Sequence, residues 1–262
     1  MKLLALDIDD TLVTAGGPPS ERLKAAIRRA EAHGVTVILA TGRGFLGCKA
    51  FRDALGLYGP LIQYGGAVIS DGRTGKHYHE TYLRPQDVVT AIAAADAFGV
   101  HAQIYEGDTV IARAENDFTK WYTEKSGLPF VADPYLLYRP LDTVPKVLLK
   151  VDPAEEETMV REIRGLLPRH LSVLRSAPGF IEIGSVTATK GSALEKVAAM
   201  LGIAREDVTA IGDNTLDLDM LEWAGTGICV ANGNETVKQK ADLIIGACRD
   251  DGVAAYLESL YA

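Results

Sequence analysis

Near the start of the chain a short apolar run, Leu3-Leu4-Ala5-Leu6, breaks off into Asp7-Ile8-Asp9-Asp10-Thr11. The same shape recurs. Val35 to Ala40 is apolar and β-branched, as a strand buried on both faces should be, and it ends in Thr41-Gly42-Arg43-Gly44. Val208-Thr209-Ala210-Ile211 ends in Gly212-Asp213-Asn214. Between these runs apolar residues fall at helical spacing. Leu23, Ala26, Ile27 and Ala30 mark a helix over Glu21 to His33, after a loop from Gly16 to a Ser20 cap and before Gly34. A second helix is expected from the Thr-Gly-Arg turn through Leu55. A third strand begins at Leu61-Ile62 and ends at Gln63-Tyr64, and Asp71-Gly72 marks a hairpin to His77-Tyr78-His79. This β-α-β-α-β order predicts a doubly wound parallel sheet.

The rhythm changes at Leu83-Arg84-Pro85. An Ala-rich helix over 86–98 precedes short strands at 101–105 and 109–113, and a helix runs over 117–125. After an irregular Pro-containing stretch at 129–140 come a strand at 145–151, a helix at 154–167 and strands at 170–175 and 180–183. This α+β patterning predicts an inserted second domain at 84–185, dividing a core of 1–83 and 186–262. From Thr189 the first rhythm returns, with Lys190 opening a helix to Met200 and a last helix at 253–260.

Composition narrows the chemistry. A net charge of −8 without a basic block argues against nucleic acid as partner. Cys48, Cys229 and Cys248 are odd in number and widely spaced, so they read as reduced, partly buried residues of an intracellular protein. The N-terminal run lacks a signal peptide's pattern and nothing later is long enough to span a membrane, so a cytoplasmic protein is expected.

In an open α/β sheet, ligands bind outside the carboxyl ends of the strands. Strand alternation lets Asp7 and Asp9 address one ligand while Ile8 points to the core. Two close carboxylates do not both ionise cheaply, so one of them is expected to hold a proton unless a cation intervenes. A lone D-x-D, however, reads more often as an acidic turn that caps a helix. The other strand ends shift that balance. Thr41-Gly42 enters a helix with a hydroxyl and free N–H groups, as an anion site does. Lys190 stands at a helix start, where a cation is disfavoured and needs another reason. Asp213 ends its strand as Asp7 does, with Asp217 four residues on. Such carboxylates beside a phosphate-sized pocket suit a hard cation such as Mg2+.

The order of Leu6-Asp7-Ile8-Asp9-Asp10-Thr11-Leu12, Ala40-Thr41-Gly42-Arg43, Thr189-Lys190-Gly191 and Ile211-Gly212-Asp213 through Asp217 resembles the haloacid dehalogenase-like (HAD) phosphohydrolase superfamily. The insertion between the second and third motifs, the Thr-Gly-Arg form and Asp251-Gly252-Val253 resemble its Cof-type, or IIB, branch, in which the inserted cap sets substrate specificity. The resemblance implies a Rossmann-like core and a phosphatase acting on small phosphorylated metabolites, sugar phosphates first. It implies that Asp7 is the nucleophile, forming an aspartyl-phosphate, and Asp9 the general acid and base. It implies Mg2+ held by Asp7, the Asp9 carbonyl and Asp213, with Asp217 in or next to the shell. Thr41, Gly42 and Lys190 are implied to bind the phosphoryl group, Arg43 to reach the substrate side, and Asn234 to lie near the site. The chain departs from the family pattern at Leu216, where Asn is common, at Gly65, where Asn is usual, and at Asp10, where Gly is frequent.

Alternatives are a phosphoglycolate- or pyridoxal-phosphate-type phosphatase, a phosphotransferase or mutase, and an inactive binding protein of the same fold. A phospho-receiver module is excluded by length and by a third strand ending without Asp. In the cap, His101, Tyr105, Arg113, Tyr135 and Tyr138 could read a leaving group, but each of these residue types is more often a surface or hairpin packing residue.

Overall fold

The apolar runs become strands. The computed structural model describes residues 1–14 and 17–261, so Gly16 of the expected first loop lies outside the described residues. The chain divides into two compact units, one of 1–43, 48–79 and 189–262, the other of 44–47 and 80–188.

The first unit contains β1 (Leu3–Leu6), α1 (Glu21–Ala32), β2 (Thr36–Ala40), α2 (Lys49–Leu55), β3 (Pro60–Gln63), β4 (Val68–Asp71) and β5 (His77–Glu80). Within the second unit come α3 (Pro85–Ala97), β6 (His101–Glu106), β7 (Thr109–Ala112), α4 (Asp117–Ser126), β8 (Phe130–Ala132), β9 (Val147–Lys150), α5 (Glu156–Leu166), β10 (Leu171–Ala177) and β11 (Phe180–Ser185). The first unit then resumes with α6 (Lys190–Leu201), β12 (Val208–Gly212), α7 (Leu218–Trp223), β13 (Thr226–Val230), α8 (Glu235–Lys238), β14 (Leu243–Ile245) and α9 (Gly252–Leu260).

The first sheet runs β14-β13-β12-β1-β2-β3-β4-β5. It is parallel from β14 to β3 and turns antiparallel at β4. Leu6 lies opposite both Leu39 and Ile211, so β1, β2 and β12 end level with one another. That register brings the three motif-bearing turns to one edge. The strands alternate faces: Leu3, Ala5, Ile38, Ala40 and Ile62 share one core with Leu194 and Val197 of α6 and Met220 of α7. Helix α1 packs on β2 and α9. Ser20 caps it by accepting the Leu23 N–H at 3.0 Å, a bond of the kind that contributes about 1 kcal/mol. No helix among the described residues is long and apolar enough to cross a membrane.

The second sheet runs β10-β11-β9-β6-β7-β8. Its Ile104, Ile111, Val147, Leu149, Ile181 and Ile183 face a core shared with Val88 and Ile92 of α3 and Ile163 of α5. Strand β8 falls inside the stretch expected to be irregular and pairs parallel with β7. It is a three-residue edge strand with Val131 exposed, too short to show alternation. Helix α2 starts at Lys49 rather than directly after the Thr-Gly-Arg turn. Of the candidate leaving-group readers, Tyr105 is buried and bonded to Gln103 and Tyr122, while Arg113 pairs with Asp96. His101 lies edge-on to Phe118, and Tyr135 and Tyr138 are exposed.

Candidate active site

Asp7 continues the line of β1 by donating its N–H to the Ile211 carbonyl at 3.0 Å. This bond ties the end of β1 to the end of β12, and the Asp7 side chain is almost wholly buried. Ile8 turns into the core, as strand alternation predicts. Lys190, at the first position of α6, is buried too, and its ammonium donates to Asp7 Oδ1 at 2.6 Å and Asp217 Oδ1 at 2.5 Å. Those two bonds are the reason a cation stands at a helix start. A capping box between Thr189 and Ser192 fixes the turn from which it projects.

Asp217 is fully buried, and its second oxygen accepts the N–H groups of Asp213 and Asn214, each at 3.0 Å. Gly212 leaves room for this, since a Cβ there would lie 2.5 Å from that of Asp217. Asp213 accepts the Thr11 hydroxyl at 3.0 Å. Ligand atoms of Asp7, Asp213 and Asp217 all lie within 4.8 Å of one another.

Three carboxylates thus cluster about a single lysine in a largely buried site. Burial first, then the Asp217 charge, pushes Asp7 well above the usual carboxylate range, and Lys190 only partly offsets this. Burial and Asp217 push Asp213 up to about 7, against the bond from Thr11. Burial also opposes the charge on Lys190, but Asp217 and Asp7 outweigh it and hold the ammonium above its ordinary range. The carboxylates that perturb Asp7 are therefore Asp217 first and then Asp213, not Asp9 as the D-x-D spacing suggested. Asp9 is half exposed and held by the Nε–Nη2 edge of the Arg43 guanidinium, Nε to Oδ2 at 2.8 Å and Nη2 to Oδ1 at 2.6 Å. Arg43 also lies over the Phe51 ring.

Thr41 is fully buried at the end of β2, with its hydroxyl accepting the Arg43 N–H at 3.1 Å and Gly42 in the turn between them. Asn234 donates its N–H to the Asp213 carbonyl at 2.8 Å, while its side chain accepts the Thr236 N–H at the start of α8. Leu216 follows in the turn leading to Asp217, its N–H 3.5 Å from the Asn214 side chain.

Residues not singled out from the sequence complete the support. Gly66, at φ +104°, abuts the third motif so closely that a Cβ would lie 2.1 Å from the Thr189 carbonyl oxygen. Asp219 accepts the Gly191 N–H at 2.9 Å and so holds the other side of that turn. The adjacent glycines at 65–66 were the only visible trace of the first contact. Nothing local marked the second.

A family model described as haloacid dehalogenase-like hydrolase matches residues 4–257. The chain belongs to this family. Curated relatives named as phosphatases match nearly all of the chain. One, a Bacillus subtilis (strain 168) protein with a provisional phosphatase name, is 29% identical over 99% of this chain and 98% of its own. Another from the same strain, 5-amino-6-(5-phospho-D-ribitylamino)uracil phosphatase, is 30% identical over 97% of this chain and 93% of its own. A solved haloacid dehalogenase-like hydrolase from Bacteroides thetaiotaomicron superposes with a TM-score of 0.87 at 26% identity, covering 99% of both chains. The chain is thus an enzyme of the haloacid dehalogenase-like hydrolases, among relatives named as phosphatases.

Proposed function

We propose that this hydrolase is a Mg2+-dependent phosphomonoesterase that transfers the phosphoryl group of a small phosphorylated metabolite to Asp7 and then to water. The observation that carries this reading is Asp7 itself. It is a buried carboxylate with one oxygen on Lys190, in a cluster with Asp213 and Asp217.

The residues fit the metal. Three acidic groups against one ammonium hold protons in a buried site that a cation could displace, and an all-oxygen donor set suits a hard divalent cation. Asp7, the Asp9 carbonyl and Asp213 would hold it. Asp217 already receives Lys190 and two backbone N–H groups, so we place it next to the metal as the group that orients both Lys190 and the Asp213 turn. Bound Mg2+ would neutralise charge on the phosphoryl oxygens and lower the proton affinity of the carboxylates. Lys190 and the Thr41-Gly42 turn would take the remaining oxygens, so that a dianion can approach the Asp7 carboxylate.

Asp7 attacks phosphorus and the P–O bond to the leaving group breaks, with Asp9 giving that oxygen a proton. Asp9 then takes a proton from water as it attacks the aspartyl-phosphate, which releases phosphate and restores Asp7. Arg43 keeps the Asp9 carboxylate in one orientation, and Asn234 supports the Asp213 turn. For the substrate we propose phosphorylated sugars and polyols, a class supported by the relative named for a phosphoribityl compound. Three free, buried thiols suit a reducing compartment, and we place the enzyme in the cytoplasm.

The test is hydrolysis of an aryl phosphate with Mg2+ and with chelator, together with thermal melts across pH. Asp213 titrates at about 7 in the folded chain against an ordinary 3.8. Between those values the metal-free folded protein holds a proton that the unfolded chain has lost, so its stability falls as pH rises. Mg2+ competes with that proton. Its stabilisation of the protein is therefore expected to be larger at about pH 8 than at about pH 5.5. Hydrolysis unaffected by chelator, or a larger Mg2+ shift at the lower pH, would count against the reading.

A further inference from the structure

Asp10 has a left-handed backbone, φ +58°, in a chain where only two other described non-glycine residues have positive φ. Glycine takes that conformation without cost, whereas a residue with a Cβ needs the surroundings to hold it. Two bonds hold Asp10. Its N–H donates to the Val13 carbonyl at 2.8 Å. Its carbonyl accepts Nδ2 of Asn232 at 2.7 Å, from a residue 222 positions away in the turn after β13. The same Asn232 uses Oδ1 to accept the Cys248 N–H, also at 2.7 Å. One exposed amide thus clasps the first motif to the segment that leads into α9.

This clasp bears on the site through the peptide that joins Asp9 to Asp10. In a planar trans peptide the C=O and N–H point in opposite directions. With the Asp10 N–H fixed on Val13, the Asp9 carbonyl points the other way. The left-handed Asp10 keeps the N–H on Val13 and its own carbonyl on Asn232 at the same time. The turn carrying Asn232 serves the second acid loop too, because Asn234 two residues on donates its N–H to the Asp213 carbonyl. Gly233 between them permits the approach, since a Cβ there would lie 2.5 Å from Cys229 Sγ and 3.0 Å from the Asp213 carbonyl oxygen.

We propose that Asn232 is a positioning residue that pins Asp10 in its left-handed conformation and thereby aims the Asp9 backbone carbonyl at the Mg2+ site. The proposal rests on the phosphatase reading only in taking that carbonyl as a metal ligand. It assigns Asn232 no contact with substrate or metal.

The test is Mg2+ binding to the full chain by calorimetry, for wild type, Asn232→Ala, Asn232→Asp, Asp10→Gly and Asn232→Ala with Asp10→Gly. Melts in chelator check that each variant folds. Removing a residue that orients a metal ligand weakens metal binding about tenfold, and Asn232→Ala is expected to raise the Mg2+ Kd by that factor. Asn232→Asp is expected to do the same, since it keeps an acceptor for Cys248 and loses the donor to Asp10. With glycine at position 10 the conformation needs no pin, so Asn232→Ala should then change the Kd by less than about twofold. A merely structural role would show no such suppression. An unchanged Kd in Asn232→Ala and Asn232→Asp overturns the proposal, as does a full loss that persists with Asp10→Gly or a wild type that binds no Mg2+. Aryl phosphate turnover is measured in parallel. Wild type that binds Mg2+ without hydrolysing sinks the phosphatase reading alone. Hydrolysis with the Kd unmoved by the Asn232 variants sinks the pin alone.

Discussion

Replacing Asp7 with asparagine is expected to lower aryl phosphate turnover by a factor on the order of 10^4 or more, equivalent to about 5 kcal/mol of transition-state stabilisation. The change is nearly isosteric, so the loss is chemical. An amide is too poor a nucleophile to displace a leaving group from phosphorus, and no second carboxylate stands ready. Asp213 is bonded to Thr11, Asp217 is committed to Lys190 and two backbone amides, and Asp9 is held by Arg43. Stability is expected to move the other way. Burial and the neighbouring Asp217 make a charged Asp7 costly, so a neutral amide should leave the metal-free protein at least as stable as wild type at pH 8. Turnover kinetics and thermal melts on one preparation check both halves. Residual turnover within about tenfold of wild type would move the nucleophile elsewhere.

Lys190→Met is expected to damage both catalysis and the fold. The ammonium is the cation that holds Asp7 and Asp217 together, at 2.6 and 2.5 Å, and all three side chains are buried. Removing one partner from a buried ionic group typically costs about 3–5 kcal/mol, because the remaining charges are left uncompensated. Folded-state proton affinities of Asp7 and Asp213 are already raised, and losing Lys190 raises them further. The destabilisation should therefore be smaller near pH 5.5, where those carboxylates take up protons, than near pH 8. Mg2+ should restore part of the stability. Turnover should remain about a hundredfold to a thousandfold down, since a donor to the phosphoryl oxygens is gone. Equal loss of stability at both pH values would contradict the charge balance described for this site.

Much of the architecture was legible because its signals are local. The runs ending at Leu6, Ala40 and Ile211 have the period and composition of buried strands, and a parallel sheet sets their ends level. Ser20, Gly34 and Gly99 mark helix ends through cap chemistry and positive φ. What was not legible depends on distant partners. Spacing placed Asp7 and Asp9 together, but the neighbour that perturbs Asp7 most arrives from 210 positions downstream as Asp217. The pairing of Arg43 with Asp9, 34 positions earlier, likewise depends on the fold and has no local signal. The departures from the family pattern gain a physical account in two cases. Asp10 occupies a left-handed position where glycine would be natural, and Asn232 holds it there. Gly65 has positive φ, and Gly66 beside it leaves no room for a Cβ against Thr189. Leu216 has no such account.

The measurement closest to the central claim uses Asp9→Ala with an aryl phosphate carrying a labelled phosphoryl group, quenched in acid. An aryl oxide leaves without a proton, so the first step survives the substitution, whereas hydrolysis of the aspartyl-phosphate has lost its base. The account predicts a burst of about one equivalent of aryl alcohol per protein, then a stall, with the label on the peptide containing Asp7. Steady turnover with no burst and no protein-bound label would contradict it.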